Sequence, residues 1–214
     1  MKKQKTNNEI NILLWIFILT FLAGAINVYT IKKFGVTTSH HTGNASNIAI
    51  KFCEGNFAVH RLAMLVVCFF AGSSISGFLF HKKNMQDKIP YVISLIFMGS
   101  MLMMLEILNC GSGTVYFLAF FIGLQNGMHI KYKGITVRTS HITGYLTDGG
   151  FSFGTFLKGD TKALGKTVFF SISILVFIMG GITSYLAIDT FQNPLIIYGV
   201  LYVISGVYYA VSVN

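Results

Sequence analysis

Six long uncharged runs dominate the sequence, and they limit its fold more than any other feature. Each run holds about 17 to 25 residues, close to the roughly 20 mostly apolar residues that a membrane-crossing helix needs. Charged residues make up only 11% of the chain, against about a quarter in soluble domains. We therefore exclude a soluble globular domain, a disordered chain and a secreted disulfide scaffold, and predict an all-α polytopic protein whose main partner is the lipid bilayer. The runs are Ile10–Ile31, Leu62–Phe80, Ile89–Leu105, Ile107–Ile130, Thr167–Ile188 and Thr190–Asn214.

Positive charges are concentrated in short segments beside these runs. The clusters lie at Lys2–Lys5, Lys82–Lys88 and Lys158–Lys166. Lysines in short loops next to apolar helices are typical of the cytoplasmic side, so the N-terminus is predicted to be cytoplasmic and the first run to be a retained helix. The net charge of +9 does not indicate a nucleic-acid partner, because no basic face with interleaved aromatic residues is present. Four cations do not fit this orientation, because it places them on the outer side. They are Lys32, Lys33, Lys51 and Arg61.

The three cysteines predict neither a metal centre nor a disulfide framework. Cys53, Cys68 and Cys110 form no CxxC pair and match no zinc-site spacing. Cys68 lies inside an apolar run, where a free cysteine packs as a small hydrophobic residue. We expect no metal and no cofactor.

An internal repeat divides the chain into two units, at approximately residues 10–108 and 114–212. Gly24–Gly35 and Gly123–Gly134 are identical at five of twelve positions, and Thr38–Gly43 matches Thr139–Gly144 at five of six. Gly72 in the second run roughly corresponds to Gly181 in the fifth. The only two prolines, Pro90 and Pro194, each open the third run of a unit, where proline suits the first turn of a helix.

The number of runs in each unit predicts how the units are oriented. Three crossings is an odd number, so the second unit must enter the membrane from the opposite face. The predicted fold is therefore a single membrane domain, 1–214, with about six transmembrane helices arranged as two inverted three-helix repeats. Each repeat also carries a short polar segment after its first helix, which we expect to be re-entrant or to be a broken helix.

The first polar segment, Val36–Ile50, is too polar for a lipid-facing span and too apolar at its end for a free loop. Thr42, Gly43 and Asn44 are residue types that begin helices, so a short helix is predicted from Ala45 to Phe52. In the second unit, Thr143-Gly144 precedes a predicted helix, Tyr145–Leu157. Its glycines are expected to allow close packing against neighbouring helices, and they are Gly149, Gly150 and Gly154.

The two polar segments supply the candidate substrate site. Irregular backbone at membrane depth is tolerated only inside protein or beside a water-filled cavity, and transporters built from inverted repeats place broken helices there. The hydroxyls and free backbone N–H groups make the cluster rich in donors, which favours an anion or a polar neutral solute. The candidate residues are Asn27, Ser39, His40, Thr42, Gly43, Asn44, Asn126, Ser140, His141, Thr143 and Gly144.

Structural interpretations of the same residues stay open. The Thr-Gly steps could simply let two helices cross closely. His40 and His141 could be satisfied core residues, and they are poor candidates for metal ligands because no carboxylate or thiolate lies at ligand spacing beside them. Asn27 and Asn126 could join neighbouring helices. Ionisable groups inside a membrane are functional candidates by default, and Arg138 and Asp148 are expected to pair across the second motif as a clamp or a gate.

These motifs resemble the YoaK-like family of bacterial integral membrane proteins. The matching residues are Gly24–Asn27, Thr42–Asn44, Gly123–Asn126 and the run Arg138–Asp148. The resemblance covers nearly the whole chain and implies a multi-pass protein of the bacterial cytoplasmic membrane, with no established biochemical activity. One departure is at Asn27, where the family often has an acidic residue, and this places a cation-coupling role there in doubt. Within this chain, Tyr145 of the second motif corresponds to Asn44 of the first, so the two motifs are not interchangeable.

Two functions from different classes follow from the sequence. The first is a small secondary transporter or channel-like facilitator that moves a small anion or polar solute through a site between the repeats. The alternative is a non-transporting sensor, scaffold or assembly protein whose motifs are only structural. A membrane-embedded enzyme is disfavoured, because no nucleophile elbow and no HExxH motif is present. The substrate and a homo-oligomeric state stay open.

Overall fold

The protein is described by a computed structural model, and eight α-helices follow one another along the residues that it describes. The structure describes the backbone of residues 2–213 and the side chains of residues 6–213, so the side chains of Lys2, Lys3 and Lys5 lie outside the described residues. The helices are α1 (Lys2–Phe34), α2 (His41–Cys53), α3 (Ala58–Phe80), α4 (Lys88–Ile107), α5 (Thr114–Gly127), α6 (Ile142–Leu157), α7 (Ala163–Thr190) and α8 (Pro194–Ser212). A 3₁₀ turn at Gly111–Gly113 precedes α5, and strands β1 (Ile130–Tyr132) and β2 (Ile135–Val137) form a small hairpin after it.

Five of the described helices are long and apolar enough to cross a membrane, which makes this a multi-pass membrane protein. They are α1 from Thr6, α3, α4, α7 and α8. The fourth uncharged run, Ile107–Ile130, does not form a comparable helix. Its first residue, Ile107, ends α4, and the 3₁₀ turn at Gly111–Gly113 follows. The helix α5 has only 14 residues, or about 21 Å at 1.5 Å per residue. The hairpin then turns at Lys133 and Gly134, whose positive φ angles of 46° and 80° suit a tight two-residue turn.

The core is built around the first long helix. In α1, Trp15, Ile16, Leu19 and Leu22 are fully buried, and the apolar window of α1 is 61% buried against 22% for α3. A helix that is apolar all round belongs either in the core or against lipid. In this fold α1 lies in the core, and α3 lies mainly against lipid.

Glycines allow three close helix crossings, and each crossing joins the N-terminal half of the chain to the C-terminal half. Where α1 meets α7, a Cβ on Gly24 would overlap the Phe177 carbonyl, and one on Gly180 would overlap the Phe21 carbonyl. Where α4 meets α8, Gly99 and Gly199 lie against each other's carbonyls. Small residues of this kind permit backbones to approach closely in membrane proteins.

The crossing of α3 and α5 repeats the α1–α7 contact residue for residue. A Cβ on Gly123 would overlap the Phe69 carbonyl, and one on Gly72 would overlap the Phe120 carbonyl. At both crossings, the overlapped carbonyl belongs to the residue three positions before the glycine of the opposing helix. Gly72 therefore has the position of Gly180. The sequence-based match of Gly72 with Gly181 is displaced by one residue, because only the carbonyl contact defines the register of the crossing.

Hydrogen bonds distinguish the two ends of the helix bundle. At one end, Asn11 Nδ2 donates to the Ser212 carbonyl at 2.5 Å, and Tyr209 donates its hydroxyl to the Met85 carbonyl at 2.5 Å. We call this the termini end. At the opposite end, Lys32 Nζ lies 2.6 Å from Asp189 Oδ2. The 81–88 loop and the β1–β2 hairpin lie at the termini end, since Lys131 N–H also donates to Met85 Sδ at 3.2 Å.

Candidate functional site

Each polar segment leads into a short helix, and the N-cap residue of each helix is a histidine. His40 caps α2 and His141 caps α6, and the first helical N–H groups, from Asn44 and Tyr145, donate to their carbonyls at 3.2 Å and 3.1 Å. Neither helix has a side-chain cap. The predicted helix starts, at Ala45 and Tyr145, are therefore several residues too late. The Thr-Gly steps lie inside the first helical turn.

Each glycine of these steps makes room for its own histidine ring. A Cβ on Gly43 would overlap the His40 imidazole, and a Cβ on Gly144 would overlap the His141 imidazole. The two rings thus fold back over the first turns of α2 and α6 in the same way. The expected role of the Thr-Gly steps in letting two helices cross is wrong for these glycines, because the nearest neighbour is a side chain of the same segment.

Asn44 is neither a cap nor a cavity residue. It is 4% exposed, its Nδ2 donates to the Thr37 carbonyl at 3.0 Å, and its Oδ1 accepts from the Thr37 hydroxyl at 3.3 Å. These bonds hold the non-helical stretch before α2 against the helix. In the second segment Tyr145 lies at this position and packs on Phe170, with ring centroids 5.4 Å apart.

Asn27 and Asn126 each bind the serine of their own segment. Ser39 Oγ donates to Asn27 Oδ1 at 2.8 Å. Asn126 Nδ2 donates to Ser140 Oγ, and the Ser140 N–H donates to Asn126 Oδ1 at 3.1 Å. The asparagines therefore attach the end of a long helix to the polar segment that follows it, and do not join two neighbouring long helices.

The two segments, about a hundred residues apart in the chain, line one cavity of about 690 Å³. Eight of the eleven candidate site residues face it, and Gly43, Asn44 and Gly144 do not. The polar lining residues are Asn27, Ser39, His40, His41, Thr42, Ser73, Asn126, Arg138, Ser140, His141 and Thr143, and the apolar ones are Phe69, Ile142, Ile174, Phe177 and Ile178. Because Phe69 lies on α3 and Phe177 on α7, the cavity lies between the halves of the chain.

His41 and Ser73 face the cavity without having been selected from the sequence. The His41 ring lies on Phe69 with centroids 4.2 Å apart, and its Nε2 is 3.1 Å from the Thr38 carbonyl. Its counterpart in the second segment is Ile142, so the repeat comparison that singled out His40 did not single out His41. Ser73 donates to the Gly123 carbonyl at 2.9 Å, and within its apolar run it had only the pattern of a packing residue.

Arg138 is the only residue with a permanent charge among the described lining residues, and none of them is an acid. Its Nη1 donates to the Asn126 carbonyl at 2.7 Å. This bond provides a donor for a carbonyl at the C-terminal end of α5. The site is therefore rich in hydrogen-bond donors and carries net positive charge. Such a site accommodates an anion or the acceptor oxygens of a polar solute.

The expected pair between Arg138 and Asp148 is wrong. Asp148 lies on the exposed face of α6, it does not line the cavity, and no ion pair between described residues joins the two. The reason is helical periodicity. Tyr145 and Gly149, one turn apart, form the buried face of α6, and Asp148 is rotated about 100° from Gly149.

The α6 glycines also behave differently from one another. A Cβ on Gly149 would touch Phe170, whereas a Cβ on Gly150 or Gly154 would meet nothing within 4 Å. Only Gly149 therefore has the close-packing role expected of all three. Across residues 6–213, no group of three His, Cys, Asp or Glu side chains is placed to hold a metal ion.

Asn126→Ala should lower the free energy of unfolding by about 1–3 kcal/mol, the usual cost of leaving buried polar partners unsatisfied. The substitution removes both bonds to Ser140, and Asn126 is only 6% exposed. Asn47→Ala on the exposed face of α2 is the matched control, which we expect to change stability by less than about 0.5 kcal/mol. Thermal unfolding in one detergent measures both, and equal losses would contradict the structural role of the Asn126–Ser140 contact.

The comparisons with known proteins give a family but no activity. No curated protein and no solved structure matches this chain. One family model, described as a protein of unknown function (DUF1275), matches residues 15–208, a range that includes both polar segments and all six uncharged runs in whole or in part. The chain is therefore a member of the DUF1275 family.

Proposed function

We propose that this protein is a small secondary transporter or channel-like facilitator for a small anion or polar solute. The observation that carries the proposal is the single cavity lined by both Ser-His-x-Thr-Gly segments. Irregular, polar backbone inside a membrane bundle is tolerated where it lines a cavity. Broken helices that meet between two repeats are the usual substrate site of transporters of this type.

The chemistry of the lining supports an acceptor-rich solute. Arg138 supplies one positive charge, and hydroxyl, amide and imidazole groups supply most of the remaining polar surface. Short helices α2 and α6 both begin beside the cavity, at His40 and His141. The N-terminal end of a helix is its positive end and offers free N–H groups. A bare cation would find no carboxylate among the described lining residues.

The matched contacts of the two halves support an inverted repeat. The α1–α7 and α3–α5 crossings use equivalent glycines. The Asn27–Ser39 and Asn126–Ser140 contacts also join corresponding residues of the two units. In the proposed arrangement, units at approximately 10–108 and 114–212 each cross three times. The short helix α5 and its hairpin together supply the fourth of six crossings. Movement of one unit against the other would open the cavity alternately to the two sides.

We place the protein in the bacterial cytoplasmic membrane with its N-terminus inside, as the narrower resemblance to YoaK-like proteins implies. The lysine-rich 81–88 loop lies at the termini end. The positive-inside bias depends on the number of lysines and arginines, whether or not carboxylates pair with them. Seven lysines lie in the 81–88 loop, the β1–β2 hairpin and the start of α7, against the four cations expected at the other end. This asymmetry favours a cytoplasmic termini end.

The alternative is a non-transporting sensor or scaffold, and one observation favours it. Ser39 already bonds to Asn27, and Ser140 already bonds to Asn126, as purely structural groups would. Under this alternative the variants of these residues fail to fold, and a fixed partner co-purifies with the wild-type protein.

Uptake into proteoliposomes tests the proposal. The panel should contain small inorganic anions, small carboxylates and small neutral solutes, each with a radiolabel or a fluorescent reporter. We expect one class to enter, and we expect Arg138→Gln to lower anion uptake about tenfold or more, as befits the loss of hydrogen bonds to a charged group. The double variant His40→Ala/His141→Ala should also lower uptake, while its thermal stability stays within a few degrees of wild type.

The matched control is His60→Ala/His81→Ala, because both of these histidines are exposed and lie outside the cavity. It should leave uptake unchanged. No uptake of any solute in the panel, or equal losses in the two histidine variants, would overturn the proposal.

A further inference from the structure

A second cavity, at the termini end and on the outer surface of the bundle, combines an apolar floor with a rim of lysines. It has a volume of about 300 Å³ and lies between α1, the β1–β2 hairpin and the start of α7. We infer that it binds one anionic glycerophospholipid, with the phosphodiester group at the lysines and an acyl chain along the floor. This inference is independent of the proposed transport function, because none of these residues lines the larger cavity.

The floor is shaped for a hydrocarbon chain. Phe17 and Tyr132 both stack on Phe169, with ring centroids 6.3 Å and 5.4 Å away. Exposed Val168 on α7 continues the apolar surface towards the lipid-facing side of that helix. Gly165 also lines the groove, and a Cβ placed there would meet nothing within 4 Å. The groove is therefore open where an acyl chain would lie.

The rim carries an unbalanced positive charge. Lys133, Lys162 and Lys166 line the groove. Two carboxylates lie beside them: Glu9, 3.6 Å from Lys133 Nζ, and Asp160, whose Oδ1 accepts the Lys162 backbone N–H at 3.0 Å. Three lysines against two carboxylates leave one positive charge. Lys162, the residue before α7, and Lys166, in its first turn, are also four residues apart, a spacing at which like charges repel each other.

A single phosphodiester supplies the missing charge. It carries one negative charge and accepts several charge-assisted hydrogen bonds, and basic pockets between membrane helices on the cytoplasmic side suit acidic lipid headgroups. A zwitterionic lipid would bring a cation of its own to the lysines. Free phosphate would satisfy the rim but leave the apolar floor empty, so lipid and inorganic phosphate make different predictions.

Native mass spectrometry of the full-length protein in a neutral detergent, titrated with phosphatidylglycerol, provides the test. We expect one lipid to bind preferentially over phosphatidylcholine with the same acyl chains. Lys162→Gln/Lys166→Gln should weaken phosphatidylglycerol binding about tenfold or more, as expected for two lost cations near an anionic headgroup. Lys82→Gln/Lys83→Gln, with the same charge loss at the same end, is the control and should leave the binding of this lipid unchanged.

The variant Gly165→Leu distinguishes a site for a lipid phosphodiester from a site for free inorganic phosphate. It fills the groove without changing any charge, and leucine is the better helix former, so folding should be preserved. We expect this variant to lose phosphatidylglycerol binding severalfold. Inorganic phosphate at millimolar concentration should not displace the lipid from the wild-type protein. Equal weakening by the two lysine variants, no preference over phosphatidylcholine, displacement by inorganic phosphate, or unchanged binding in Gly165→Leu would each overturn the inference.

Discussion

Gly72→Ala is expected to destabilise the protein by about 3 kcal/mol, at the upper end of the usual cost of overpacking a tight interface. The reason is that the new methyl group would overlap the Phe120 carbonyl on α5. Backbone cannot move aside as a flexible side chain can, so α3 and α5 would have to separate. The neighbouring contact of Gly123 with the Phe69 carbonyl would then be lost as well.

Gly77→Ala is the matched control, since it lies in the same helix and a Cβ there meets nothing within 4 Å. It should be neutral or stabilising by up to about 1 kcal/mol, because alanine is a better helix former than glycine. Thermal or denaturant unfolding in a single detergent measures both variants. Equal stabilities for Gly72→Ala and Gly77→Ala would show that the crossing is not as close as described.

Gln125→Leu is expected to have the second large effect, a loss of about 2–4 kcal/mol from unsatisfied buried groups. Gln125 is 2% exposed. Its Nε2 donates to the Leu19 carbonyl at 3.0 Å and to Thr139 Oγ1 at 2.6 Å, and its Oε1 accepts from the Tyr202 hydroxyl. One side chain thus connects α5 to α1, to α8 and to the second polar segment.

A double-mutant cycle with Tyr202→Phe separates the hydrogen bond from the change in packing. Tyr202→Phe alone should cost about 1–3 kcal/mol, because it leaves Gln125 Oε1 without its donor. The double variant Gln125→Leu/Tyr202→Phe should be less destabilised than the sum of the single variants, since no unpaired hydroxyl is then buried. Strict additivity would mean that this bond contributes nothing to stability.

The membrane class and the position of the polar segments could be predicted because both are local properties of the sequence. Two errors, at Gln125 and Asp148, arose because the role of each residue depends on neighbours distant in the chain. Gln125 was not selected, because its counterpart in the first unit is Ile26 and the comparison favoured identical residues. Asp148 was selected for its charge, but its direction depends on which face of α6 packs on α7.

The α5 region shows the same limit. The run Ile107–Ile130 is as long and as free of charge as the others, and these two properties predict a full crossing helix. Two glycines, Gly111 and Gly113, permit a 3₁₀ turn before the helix, and a hairpin follows it. Hydropathy cannot distinguish a helix from a turn in an uncharged run, because it depends on which side chains are present and not on the backbone conformation.

The sequence by itself determined that the chain lies in a membrane, and it determined which stretches are polar enough to need protein around them. Uncharged length decides the first, and the cost of unsatisfied polar groups in hydrocarbon decides the second. Only the tertiary structure decided which glycines are obligatory, since Gly72 meets a carbonyl whereas Gly77 meets nothing. It also decided that both Ser-His-x-Thr-Gly segments share one cavity. Both outcomes depend on what the opposing helix places at that depth, and this information is absent from the sequence around the residue itself.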